Sequence, residues 1–64
     1  MTHTDLDAIR RELAMVGHLI YLGITDTSCV VSLQHKDGRV YTAHLSTEAE
    51  CLEDIQRQTR EAMP

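Results

Sequence analysis

The chain contains no tryptophan and no phenylalanine, and only two tyrosines among its 64 residues. A core of stacked aromatic rings is therefore excluded, and the interior must come from Leu, Ile, Val, Ala, Met and Cys. A domain of this length removes only about 60% of its unfolded surface from water on folding, so the core is expected to be thin and a partner subunit to supplement it. Cysteine is scarce as well. Two thiols, with neither a basic start nor an apolar run in Met1-Thr2-His3-Thr4-Asp5 to direct secretion, argue against a disulfide framework and predict buried, reduced thiols in a cytoplasmic protein. No apolar run approaches the roughly 20 residues of a membrane helix, because Gly17, His18 and Gly23 interrupt the longest one. The single proline is Pro64, and there is no repeat, linker or low-complexity segment, so residues 1–64 read as one domain. Basic residues are outnumbered: six Lys and Arg against ten Asp and Glu leave a net charge of −4. The counterion release that drives non-specific nucleic-acid binding is absent.

What is there is organised around Ser28 to Ser46, where two runs rich in Val, Leu, Tyr and Thr flank Asp37-Gly38, a pair that tolerates positive φ in a short turn. A two-residue loop would mix apolar and polar residues on both faces of the hairpin. A three-residue loop of Lys36, Asp37 and Gly38, with Gly38 left-handed at a bulge, instead pairs Leu33 with Tyr41, Val31 with Ala43 and Cys29 with Leu45. One face is then wholly apolar. The other carries Val30, Ser32 and Gln34 against His44, Thr42 and Val40.

Before the hairpin, Thr4 is a plausible N-cap with Asp5 and Asp7 in the first turn. Leu6, Ile9, Leu13 and Val16 recur at helical spacing, with Ala14 and Met15 widening the stripe. Gly17 is placed to end this helix as a left-handed C-terminal residue, and His18 to Ile24 is β-branched and aromatic enough for a strand. The alternative is a helix continuing to Leu22, capped by Gly23. Thr25, Asp26 and Thr27 turn into the hairpin. After it, Ser46 or Thr47 opens a last helix, and Thr47-Glu48-Ala49-Glu50 matches a capping box. Ala49, Leu52, Ile55 and Ala62 form its apolar stripe with Cys51 beside it, and Glu53 to Arg57 is a favoured i, i+4 pair. The expected fold is α+β: helix, three-stranded antiparallel meander, helix (αβββα), with both helices on the face carrying Cys29, Val31, Leu33, Tyr41, Ala43 and Leu45. The fallback is αββα with a longer first helix.

This order and length are similar to those of the double-stranded-RNA-binding domain, but the likeness stops at topology. Such domains open their last helix with basic residues that straddle phosphates, whereas Ser46-Thr47-Glu48-Ala49-Glu50-Cys51-Leu52-Glu53-Asp54 would repel them. Direct nucleic-acid binding is not expected.

Four histidines are present, but His3 lies in the terminus, His18 follows a helix end, His35 abuts the turn and His44 sits on the polar sheet face. The hairpin register sets His35 and His44 at opposite ends, with neither near Cys29 or Cys51, so no metal site is expected. Cys51 with His44 and a nearby Glu could act as nucleophile, base and orienter, yet a free cysteine bordering an apolar stripe is far more often a core residue. The chain is also short for a pocket of a few hundred Å³. The expectation is a non-enzyme with no cofactor: a small acidic interaction or regulatory module working as a homodimer and contacting a further, unidentified protein. Ile20, Leu22, Val30, Val40 and His44 are the candidate dimer-interface residues, and the edge strands offer a second route. The alternative is an acidic inhibitor, a nucleic-acid mimic of the phage-encoded type. Its Glu48, Glu50, Glu53 and Asp54 would fill a basic groove on a target.

Overall fold

A computed structural model describes residues 5–62. Its elements follow one another as helix α1 (Leu6–Val16), strands β1 (Gly17–Ile24), β2 (Cys29–His35) and β3 (Val40–Leu45), and helix α2 (Glu48–Ala62). The three strands form an antiparallel sheet in the order β1-β2-β3. The αβββα reading holds, and the αββα fallback does not.

The helices cover one face of the sheet. Ile9 and Leu13 from α1, and Cys51, Leu52 and Ile55 from α2, close on Cys29, Val31, Leu33 and Ala43 in a single buried cluster. Leu6, Val16, Leu19 and Tyr41 pack around its rim. Several stripe assignments need correction. Ala14 and Met15 are exposed, Met15 to 78%, because they lie beyond the arc of α1 that meets the sheet. Leu45 is 39% exposed at the end of β3, while Cys51, beside the stripe in the sequence reading, lies at its centre and is fully buried. Thr59 is buried too; its hydroxyl donates to the Gln56 carbonyl one turn back at 2.8 Å, which removes the cost of sequestering it.

Each boundary has a local cause. The cap of α1 is Asp5, whose carboxylate accepts from the Ala8 amide at 3.1 Å; Thr4, the expected cap, lies outside the described residues. Gly17 is extended, with φ −176°, rather than left-handed. Its need for glycine is one of space, since a Cβ there would come within 2.9 Å of the Gln34 carbonyl carbon and of His35 Cα. The chain thus turns from α1 into β1 with no loop between them. The Lys36 amide donates to the Val16 carbonyl at 2.8 Å, pinning the junction to the hairpin turn.

The hairpin has the expected register, Leu33 with Tyr41, Val31 with Ala43 and Cys29 with Leu45. Gly38 is left-handed at φ +97°, its amide donates to the His35 carbonyl at 2.9 Å, and the His35 amide returns to the Arg39 carbonyl at 2.8 Å. The preceding turn is held by the Thr25 hydroxyl oxygen, which accepts from the Ser28 amide at 3.0 Å. At α2, Thr47 Oγ1 accepts from the Glu50 amide at 3.2 Å. Glu50 does not complete the box on the cap amide; its Oε1 accepts the Thr47 hydroxyl at 3.1 Å.

One feature of β1 departs from strict alternation. The register slips between Tyr21 and Gly23, leaving Leu22 as an extra residue opposite the Val31–Val30 step. This bulge separates Ile24 from the Ile20 and Leu22 set in which plain alternation places it, and pairs Ile24 with Cys29 on the helix side.

Candidate functional site

Among the described residues, nothing covers the side of the sheet away from the helices, and the described domain is only 17 Å thick in its shortest dimension. Register fixes what this open face presents. Toward the hairpin turn, His18, Gln34 and Val40 lie side by side; Ile20, Ser32 and Thr42 come next; Val30 and His44 follow, beside the bulged Leu22. The candidates Ile20, Val30, Val40 and His44 are therefore brought onto one surface, with Leu22 at its corner. Leu22 and Val40 are 62% and 60% exposed, Ile20 and Val30 half-buried.

Asp, Glu, Lys and Arg are missing from the register positions of this face. Six basic and ten acidic residues are present in the chain, and none occupies these positions. At the centre Ser32 is buried, its hydroxyl donating to the Tyr41 carbonyl at 3.3 Å and lying 3.4 Å from Thr42 Oγ1. Its polarity is met within the sheet, so a partner closing over it would strand no hydroxyl there. The edges are less inviting. Gln58 Nε2 reaches from α2 to the Thr42 carbonyl at 3.2 Å, and the Leu22 bulge interrupts β1.

The acidic candidates lie on the helix side, and most are held by contacts of the fold. Glu48 Oε2 accepts the Tyr21 hydroxyl at 2.5 Å and pairs with Arg10 Nη2 at 2.9 Å. Those two contacts, Tyr21 before Arg10, hold the Glu48 carboxyl below its ordinary range. Burial, ahead of the Glu48 contact, pushes the Tyr21 phenol up. Arg10 also meets Asp7 at 3.0 Å. Asp54 pairs with Arg57 and accepts from Gln58 Nε2 at 2.7 Å, and Glu50 answers the Thr47 cap. Glu50, Glu53 and Asp54, with Leu45 and Arg57, line an open groove of about 340 Å³. A hollow of this size was not expected from so short a chain. A smaller one of about 220 Å³ lies between the helix ends, where Glu12 is tied to Gln56 at 3.2 Å and Arg60 at 3.1 Å.

The Arg10–Tyr21–Glu48 cluster joins α1, β1 and α2, and sequence reasoning missed it. Tyr21 carried the only usable signal, as a phenol in an otherwise apolar strand that must find a polar partner once half-buried.

Cys51 Sγ donates to the Cys29 carbonyl at 3.0 Å, and both thiols are free and buried. Burial, then the Cys51 contact, raises the Cys29 thiol, the opposite of what activates a nucleophile. His44 projects from the other face of the sheet. Among the described residues, no three His, Cys, Asp or Glu side chains are grouped to hold a metal, and no helix is long and apolar enough to cross a membrane.

The fold defines a two-layer α+β domain whose other sheet face, among the described residues, is uncovered and carries no Asp, Glu, Lys or Arg. No protein-family model, no curated protein and no solved structure matches the chain.

Proposed function

We propose that the protein is a small non-enzymatic interaction and regulatory module that works as a homodimer through the open sheet face. One observation carries this reading: a whole sheet face bears apolar and neutral polar side chains and no Asp, Glu, Lys or Arg. Surfaces that meet a partner are depleted of charge at their centre. Edge pairing is the weaker route, because a bulged strand and a side chain set on an edge carbonyl discourage strand addition.

The acidic-mimic reading draws less support, since Glu48, Glu50 and Asp54 already have partners in the fold. A single comparison separates the sheet face from the acidic groove as the surface through which two copies meet. Val40→Glu places a charge on the face at an exposed strand end, and the triple change Glu50→Gln, Glu53→Gln, Asp54→Asn neutralises the groove. The expected result is that two differently tagged copies co-purify as wild type and as the triple variant but not as Val40→Glu, with unchanged circular dichroism. Association that survives Val40→Glu and is lost in the triple variant would overturn the face in favour of the groove.

A further inference from the structure

Building on the homodimer reading, we infer that the second copy sits across the open face about a two-fold axis running along the diagonal from Leu22 to Val40, so that the strands of the two sheets cross near a right angle. The inference rests on the pattern that the register lays out. Strands about 4.8 Å apart and rows about 6.7 Å apart give a patch of roughly 10 by 13 Å, and a two-fold at about 45° to the strands, close to that diagonal, superposes its positions to within roughly 3 Å.

Each way of laying two copies together pairs different residues. With the axis along the strands, His18 meets Val40 of the other copy, Ile20 meets Thr42 and Leu22 meets His44, each pair apolar against polar. With the axis across the strands, His18 meets Leu22, Gln34 meets Val30 and Val40 meets His44, again mismatched. The diagonal through His18 and His44 brings Leu22 to Val40 but sets Gln34 on Ile20 and Val30 on Thr42. Only the Leu22–Val40 diagonal matches like with like at every position. Ile20 then meets Val30, Gln34 meets Thr42 and His18 meets His44, while Leu22, Ser32 and Val40 each meet their own counterpart. Orthogonal crossing is one of the two preferred ways for sheets to pack face to face, and a two-fold axis closes the assembly at two copies.

The occupant is a second copy rather than an unlike chain because the face is self-complementary in this way. It also carries no Asp, Glu, Lys or Arg, so a chain with net charge −4 approaches its twin without its carboxylates meeting at the contact. The patch offers roughly 500 Å² per copy, about 1,000 Å² in all, at the lower bound for a specific interface and in keeping with reversible association. The helices stay outermost, leaving an acidic groove on each outer side of the pair.

Cross-linking tests the arrangement on the full chain. Cys29 and Cys51 are 1% and 0% exposed, so an added surface thiol reacts alone. With a short bis-maleimide at micromolar protein, Val40→Cys should link to itself about a hundredfold faster than Met15→Cys on the solvent side of α1, because docking raises the local thiol concentration toward millimolar. A mixture of Val40→Cys and His18→Cys should give little mixed product. Predominant mixed product would overturn the diagonal axis while leaving the homodimer through this face intact. A dimer by sedimentation in which neither pair links faster than Met15→Cys would overturn the use of this face. A monomer by sedimentation with no fast linking would overturn the homodimer itself.

Discussion

The Tyr21 hydroxyl donates to Glu48 Oε2 across 2.5 Å, fastening the first strand to the first turn of the last helix over 27 positions of sequence. Arg10 meets the same carboxylate from α1. Because Tyr21 and then Arg10 hold the Glu48 carboxyl below its ordinary value of 4.5, the unfolded chain takes up this proton first as pH falls. The contact therefore contributes its full stability above the ordinary value and loses it as pH drops through the folded-state value. Glu48→Gln should lower the melting temperature at pH 7, and the gap from wild type should close as the pH falls below 4.5. Tyr21→Phe should cost about 1 kcal/mol at neutral pH. A Glu48→Gln deficit that persists unchanged into acid would show that the carboxylate's charge is not what matters.

Gly17 and Gly23 give a paired test of why the first strand begins where it does. A methyl group at Gly17 would press on the backbone of Gln34 and His35, while at Gly23 it would meet nothing within 4 Å. Gly17→Ala should cost roughly 2–3 kcal/mol, as overpacking against unyielding backbone does, and lower the melting temperature by about 10–20 °C in a domain this small. Gly23→Ala should be neutral or raise stability by up to about 1 kcal/mol through the unfolded chain. Equal effects at the two sites would mean that the helix-to-strand junction tolerates a side chain.

These residues also mark how far the sequence could be read. The β2–β3 register was legible because Asp37-Gly38 restricts the turn and only one loop length gathers Cys29, Val31, Leu33 and Ala43 on one face. The strand from His18 was legible as a change of residue type, but Gly17, read as a helix cap, was not legible as its first residue, since the carbonyl that forbids a side chain there comes from Gln34 on another strand. The Leu22 bulge left one trace, Gly23 within the strand run, which the regular alternation of Ile20, Leu22 and Ile24 outweighed. The Glu48 contact was illegible for the same physical reason. Glu48 at the start of α2 looks like a solvated carboxylate until tertiary packing delivers Tyr21 and Arg10 to it. On the open face the individual residues were legible, while their arrangement in rows required the β1–β2 register.

Cys29 and Cys51 should be inert in the folded state. Burial raises the Cys29 thiol, and Cys51 is fully enclosed with its hydrogen directed at the Cys29 carbonyl. Labelling by a thiol reagent should be slower than in the unfolded chain by about 10³-fold, and should accelerate with denaturant in step with unfolding. Fast, single-site labelling of Cys51 at zero denaturant would reopen the case for a nucleophile.

If the open face is closed by a second copy, stability must depend on concentration, because association draws the folded state down by mass action. For a dimer that unfolds to two separate chains, a tenfold rise in protein adds RT ln 10, about 1.4 kcal/mol per dimer and ~0.7 kcal/mol per chain. In a domain of this size that is a gain of roughly 3–5 °C in melting temperature for each decade of concentration. Val40 supplies the control. It is 60% exposed at the start of β3 and outside the buried cluster, so Val40→Glu leaves the packing of Leu13, Leu33, Leu52 and Ile55 untouched while placing a charge where two copies meet. The variant should melt at one temperature from about 10 µM to 1 mM, below wild type throughout that range, whereas Glu53→Ala should retain the wild-type slope. The comparison isolates association from folding because the two variants differ in which side of the sheet they alter. A wild-type melting temperature that stays flat across the same range, together with a monomeric sedimentation profile, would sink the dimer.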